Sequence, residues 1–224
     1  MRELTIKNLT KSYGAHCVLQ SVNLHYASGR IHGLIGDNGA GKSSFLSCLT
    51  GTVSYEGEVL REGINSVGIL SADPYMYPRI TGMEFIRFFL SAKNCKVDKG
   101  RISSLNELFQ LPLGTYAENY STGMMKKLYL LALILQENDL LLLDEPFNGL
   151  DLFSTAYVTE LLKQVCDNGM LLIISSHELR HLVSFCDTIS LVENKAIDYY
   201  EDGSDSIVGR IEQRAKEQIA KMNG

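Results

Sequence analysis

Gly36-Asp37-Asn38-Gly39-Ala40-Gly41-Lys42-Ser43 keeps the spacing G-x-x-x-x-G-K-[ST], a pattern that cradles the phosphates of a nucleoside triphosphate. Glycines let the backbone curl until successive N–H groups point inward at an anion. The positive end of the following helix's dipole reaches the same spot. A lysine at position 42 reaches the outer phosphates, and a hydroxyl at Ser43 ligates Mg2+. The flanks suit this reading. Ile31-His32-Gly33-Leu34-Ile35 reads as a buried strand and Ser44-Phe45-Leu46-Ser47-Cys48-Leu49 as an amphipathic helix. Strand, glycine loop and helix therefore follow in the order the chemistry needs. Four fixed positions also arise by chance, so the weight of the match depends on what surrounds it.

The bulk numbers narrow the classes. The 224 residues are 45% hydrophobic, enough for a core, and carry a net charge of −5. An acidic balance argues against a general polyanion binder, so a phosphate site here must be local. Five cysteines (Cys17, Cys48, Cys95, Cys166 and Cys186) lack C-x-x-C spacing and read as reduced thiols of a cytosolic protein. Arg2, Glu3 and Lys7 interrupt the first apolar residues, against a signal peptide. The longest apolar run, 128–135, is far short of the ~20 residues of a membrane span. An attachment to a membrane would have to come from another protein.

Along the chain, short strands are expected at 4–6, 22–26, 57–60 and 67–70, where apolar and polar residues alternate. The pattern turns helical at 83–89, 102–109 and 124–135. Residues 140–143 and 171–174 are unbroken apolar runs, the mark of parallel strands covered on both faces. A crossover helix is expected at 153–166, and a closing hairpin at 189–192 and 196–199 around Glu193-Asn194-Lys195. A last helix, at about 204–222, would carry Ile207, Ile211, Ala215 and Ile219 along one side. No Pro/Gly/Ser linker divides the pieces, so one domain is expected over 1–224. Its class is α/β: a phosphate-loop NTPase core with a mostly parallel sheet and a helical subdomain inserted at about 73–136.

Leu140-Leu141-Leu142-Leu143-Asp144 is an apolar strand ending in a carboxylate, with Glu145-Pro146 directly after it. A phosphate-loop ATPase needs an acid at the end of a neighbouring strand to hold the Mg2+ shell, and Asp144 fits that role. Glu145 then sits where it can polarise an attacking water. Two solvated acids in a strand-end turn would look the same without the upstream loop. Ser175-Ser176-His177 ends the next buried strand, where an imidazole can donate to a γ-phosphate and help hold the water.

The ordered set resembles the ATP-binding cassette (ABC) ATPases over essentially the whole chain. Tyr13, in Lys11-Ser12-Tyr13-Gly14, matches the aromatic that stacks on adenine. Residues 36–43 match the phosphate loop, with Ser44 adjoining it. Tyr120-Ser121-Thr122-Gly123-Met124 looks like a variant of the signature LSGGQ. Residues 140–145 match the magnesium strand and catalytic glutamate, Asn148-Gly149-Leu150-Asp151 the D-loop and His177 the switch histidine. The resemblance implies a fold with an additional N-terminal antiparallel β subdomain. It also implies head-to-tail pairing of two cassettes, in which Ser121, Gly123 and Asp151 contact nucleotide at the shared interface. The implied cofactors are ATP and Mg2+, the latter at Ser43 and Asp144. The implied partners are a second ABC subunit and a transmembrane permease, at the inner face of the cell membrane, with no nucleic acid.

The chain also departs from the family. Ala72 stands where the family places a glutamine that contacts Mg2+ and links nucleotide state to the membrane partner; no glutamine lies between Gln20 and Gln110. Turnover slowed by Ala72, or a water or Asp73 in the glutamine's place, is expected. Thr122 and Met124 replace the signature's glycine and glutamine. Tyr75 and Tyr77 lie where relatives dock a permease helix; Phe85, Phe88 and Phe89 either join that patch or fill the subdomain's own core.

Two rivals share these residues. His177-Glu178-Leu179-Arg180-His181 satisfies the zinc-peptidase pattern H-E-x-x-H, but a zinc site needs a third protein ligand and none follows in suitable context. A non-transport cassette of the DNA-repair or translation type would keep the ATPase. Such proteins typically carry long coiled coils or two cassettes per chain, and neither feature is present.

Overall fold

Leu140-Leu141-Leu142-Leu143 forms an inner strand of a six-stranded sheet, paired on both sides, in the computed structural model, which describes residues 1–201, 207–209, 211–213 and 216. Three strands, β1 (Glu3–Tyr13), β2 (His16–Ala27) and β4 (Glu56–Glu62), form a small antiparallel sheet in the order β2-β1-β4. The main sheet combines β3 (Ile31–Ile35), β5 (Val67–Leu70), β6 (Leu140–Asp144), β7 (Leu171–Ser176), β8 (Thr188–Glu193) and β9 (Ala196–Tyr200). Its order is β5-β6-β7-β3-β8-β9, parallel throughout except for the β8–β9 hairpin. That hairpin turns through Asn194 (φ 49°) and Lys195 (φ 67°), the mirror-image turn whose twist matches its strands.

Side chains alternate across a strand, so each apolar run serves two cores. Leu140, Leu142, Leu171 and Ile173 face Leu4, Ile6, Tyr26 and Phe45, between the main sheet and the small one. Leu141, Leu143, Leu172 and Ile174 face the opposite way, onto Leu128, Leu131, Val158 and Leu162. Burying a leucine fully stabilises by about 1.5–3 kcal/mol, which makes this double layer the main support of the sheet.

Helix α1 (Lys42–Thr50) follows the phosphate loop; α2 (Gly82–Ala92), α3 (Lys99–Phe109) and α4 (Thr122–Leu135) lie between β5 and β6. Then α5 (Leu152–Asp167) crosses over to β7, and the short α6 (Leu179–Val183) leads to β8. Local chemistry starts each inserted helix. Thr81 and Glu84 form a reciprocal capping box on α2, Asp98 accepts from Gly100 and Arg101 N–H groups on α3, and Ser121 caps α4.

The expected strands and helices are present with shifted ends. The helix after the loop begins at Lys42 rather than Ser44, and β1 and β2 run well beyond the alternating cores that signalled them. Helix α6, which the sequence pattern did not announce, carries His181. The aromatic group after β5 divides. Phe85 is fully buried and stacks on Phe89, whereas Tyr75, Tyr77 and Phe88 are 67%, 41% and 51% exposed and pack edge to face in a row. Of the last helix, residues 207–209, 211–213 and 216 are helical, with Ile207 buried; Ala215 and Ile219 lie outside the described residues. No helix among the described residues is long and apolar enough to cross a membrane.

Candidate active site

Five residues of β3, all buried, deliver the chain to the glycine loop at the C-terminal edge of the sheet. Gly36 passes so close to β8 that a Cβ would lie 2.6 Å from the Val192 carbonyl oxygen. Gly39 (φ 83°) and Gly41 (φ 114°) supply the left-handed turns that only glycine adopts freely. Ala40 N–H closes the loop onto Asp37 O at 3.1 Å. Lys42, 6% exposed, folds back over it: Nζ donates to Gly36 O at 2.6 Å and Asp37 O at 3.3 Å. Ser43, at the first turn of α1, is exposed. A cleft of about 580 Å3 opens beside the loop, lined by Gly36, Asn38, His177, Val192 and Asn194 among others.

Both acids arrive at the end of β6, which lies one strand away from β3, across β7. Asp144 ends β6 opposite Ser175 of β7, whose Oγ donates to Asp144 Oδ1. Glu145 takes a left-handed backbone (φ 49°), a conformation that costs a side chain of this kind about 1–3 kcal/mol and is held by bonds from two sides. Its N–H donates to Ser175 Oγ (3.1 Å) and Ser175 O (3.2 Å), and its carbonyl accepts from Lys126 Nζ (2.6 Å). The carboxylate is buried and points back to the loop. Oε2 meets His177 Nδ1 at 3.0 Å; Oε1 lies 3.7 Å from Lys42 Nζ and has no hydrogen-bond partner among the described residues. A carboxylate only accepts, so Nδ1 of His177 carries the proton of this bond, and the ring lines the cleft beside the loop.

Lys42, Asp144, Glu145 and His177 are thus gathered at one edge. The other site candidates lie around them. Tyr13, at the end of β1, is 51% exposed, with Lys11 Nζ 4.2 Å from its ring centroid. Ser121 is exposed and accepts from Met124 N–H at 3.2 Å as the cap of α4. Gly123 is buried against the D-loop of its own chain: a Cβ there would sit 2.2 Å from Gly149 O. Asp151 caps α5, Oδ1 accepting from Ser154 N–H (2.9 Å) and Oδ2 from Ser154 Oγ (2.7 Å). These bonds, the Ser154 N–H foremost, hold its carboxyl below the usual range. Ala72 lies just past β5 with Asp73 exposed beside it.

The zinc reading fails on geometry. His177 precedes α6 and is bonded to Glu145, while His181 sits on α6 between the rings of Phe147 and Phe185, where burial lowers its pKa. Among the described residues no three His, Cys, Asp or Glu side chains gather to hold a metal. Two contributors escaped the sequence reading. Ser175 ties Asp144 to Glu145, and Lys126, 2% exposed, crosses from α4 to the Glu145 carbonyl. The only local sign of Lys126 was a charge inside an otherwise apolar helical run.

A family model described as ABC transporter matches residues 19–148. The chain belongs to the ABC transporter family. The lantibiotic transport ATP-binding protein SrtF of Streptococcus pyogenes is 32% identical over 91% of this chain and 93% of its own. The bacitracin transport ATP-binding protein BcrA of Enterococcus faecalis is 32% identical over 83% of this chain, which spans 65% of that protein's length. A solved ATP binding subunit of an ABC transporter superposes with a TM-score of 0.83 over 99% of each chain at 24% identity, which shows the shared fold. This chain is accordingly an ATP-binding subunit of the ABC type, an ATPase whose hydrolysis is coupled to transport.

The contact between Gly123 and Gly149 joins α4 to the D-loop through backbone alone. Gly123→Ala, which must displace the Gly149 carbonyl, is expected to lower stability by about 1–3 kcal/mol in chemical denaturation and to reduce ATP turnover. Unchanged values of both would show that the D-loop yields freely.

Proposed function

We propose that two copies of this chain, or this chain and a related one, clasp ATP head to tail and drive a separate membrane-spanning subunit from the inner face of the cell membrane. The observation that carries the reading is the convergence of Lys42 Nζ, the Glu145 carboxylate and the His177 ring on the mouth of the phosphate loop, with Glu145 Oε1 left without a hydrogen-bond partner among the described residues. A buried carboxylate oxygen without a donor suits a base that accepts a proton from water. The N–H groups of 37–43 would hold the phosphates, Lys42 exchanging its loop carbonyls for β- and γ-phosphate oxygens. Tyr13 would stack its open face on adenine.

Mg2+ takes one or two protein oxygens and fills the rest of its shell with water and phosphate. The exposed Ser43 hydroxyl and the Asp144 carboxylate are donors of that kind. When bound, the cation neutralises charge developing on the phosphates. Hydrolysis then proceeds in line. Water oxygen bonds to the γ-phosphorus as the bond to the β-bridging oxygen breaks, its proton passes to Glu145, and ADP leaves with inorganic phosphate. His177, tethered by Nδ1 to Glu145, would present its Nε2 edge to the γ-phosphate.

In the sandwich, Ser121, Gly123 and the N-terminus of α4 would meet the nucleotide of the other subunit, with Asp151 at the seam. The exposed row Tyr75, Tyr77 and Phe88 would receive an apolar helix of the membrane partner, and cargo would be chosen by that partner.

Lys42→Ala should weaken ATP binding by about tenfold or more, read by nucleotide fluorescence titration; parental affinity would remove the loop from the mechanism. Glu145→Gln should cut turnover to a small residual rate and trap an ATP-bound dimer in size-exclusion chromatography, whereas a monomer with parental turnover would exclude its role as base. Ala72→Gln should raise Mg2+-dependent turnover, and an unchanged rate would show that another group already serves there.

A further inference from the structure

Lys126 is a fully buried lysine that the hydrolytic reading leaves without a task. Burying an ammonium is costly unless charges and acceptors compensate it, and apolar residues occupy the neighbouring inward positions of α4. Its surroundings are specific. Nζ donates to the Glu145 carbonyl at 2.6 Å, and the carboxylates of Glu145, Asp73 and Asp144 act on it as favourable charges. One cation therefore ties the helix that begins at Ser121 to the end of β6.

The bond also falls on a critical place in the backbone. Glu145 is held with φ at 49°, with its N–H tied to Ser175 on β7 and its carbonyl accepting from Lys126 Nζ at 2.6 Å and, more weakly, from Asn148 N–H at 3.3 Å. The direction of a side chain follows from the backbone that carries it. Removing the shorter, charge-assisted bond would leave that carbonyl to the longer Asn148 contact and loosen the left-handed turn that aims the Glu145 carboxylate at Lys42 and His177. Lys127, the next residue, donates to Ser154 Oγ on α5 at 3.2 Å, so consecutive lysines pin α4 to both sides of the D-loop.

We infer that Lys126 is a positioning residue for hydrolysis: its ammonium helps fix the Glu145 backbone and transmits the placement of α4 to the Glu145 carboxylate. This rests on the proposed role of Glu145 as base, and the two are separable by experiment.

The test is steady-state ATP hydrolysis by the full chain carrying Lys126→Met, of similar length but without charge or donor. The expected result is a fall in kcat of about ten- to a hundredfold, as for a displaced catalytic group, with KM for ATP within about twofold of the parent. Lys126→Arg, which keeps the cation and the donor, should recover part of the loss. In single-turnover measurements, Lys126→Met should cost nothing further once Glu145→Gln is present, since a residue acting through Glu145 has nothing left to position. Parental kcat in Lys126→Met overturns the inference. So does a KM that rises in step with the loss of kcat, or a loss of the same size on top of Glu145→Gln. If Lys126→Met does not fold, Lys126→Arg alone decides: lowered kcat at parental KM upholds the role, and a parallel change in both overturns it. Parental turnover in Glu145→Gln by itself would instead remove the reading of Glu145 as base.

Discussion

Ile35 of β3 pairs with Ser176 of β7, and Asp144 of β6 pairs with Ser175 of the same strand. This three-strand parallel register brings the phosphate loop, the two acids and His177 to one edge. Each group is the residue, or nearly the residue, at which its strand stops. Ligands of open α/β sheets sit at the carboxyl ends of the strands because there the chain leaves the ladder and its polar groups come free. A slip of one residue would exchange the inward and outward faces of β6. It would set Leu141 and Leu143 against the small sheet and move Asp144 away from Ser175. The same apolar packing that makes the sheet thus sets where the carboxylates point.

Around that edge the polar groups are buried and nearly all are answered. Ser175 does most of this with one side chain and one carbonyl: its hydroxyl donates to Asp144 and accepts from Glu145 N–H, and its carbonyl accepts from the same N–H. Lys42 is closed onto loop carbonyls and Lys126 onto the Glu145 carbonyl. Against this background Glu145 Oε1 stands out, without a hydrogen-bond partner among the described residues. A buried acceptor left without a donor costs about 1–3 kcal/mol, and here the Lys42 ammonium at 3.7 Å offsets part of that cost.

The helical segment meets the site through short contacts rather than a broad interface. Gly123 touches Gly149 backbone to backbone, Lys126 reaches Glu145 and Lys127 reaches Ser154. A shift of α4 therefore displaces the D-loop and the glutamate together. The aromatic row Tyr75, Tyr77 and Phe88 lies on the same segment, and the Tyr129 hydroxyl of α4 donates to the Tyr75 carbonyl. A partner that pressed on that row would have a path through α4 to the acids.

The sequence by itself determined the elements whose signal is local. The phosphate loop was legible because glycine spacing dictates its curl. The strands of 140–143 and 171–174 were legible because a ladder covered on both faces must be apolar at every position, and α2 because the pattern over 83–89 turns helical. Only the tertiary structure decided the rest. The bond between His177 and Glu145 joins residues 32 apart, and no periodicity encodes which carboxylate oxygen is left over. That Phe85 is core while Phe88 is surface, that His181 lies among phenylalanines rather than on a metal, and that Asp151 spends both oxygens on Ser154 depend on which faces meet. Lys126 shows the division most sharply. A lysine on a helix reads as solvated until the helix is laid against β6, and only then does its ammonium find the Glu145 carbonyl, because burial and partner are properties of the packed layers and not of the chain.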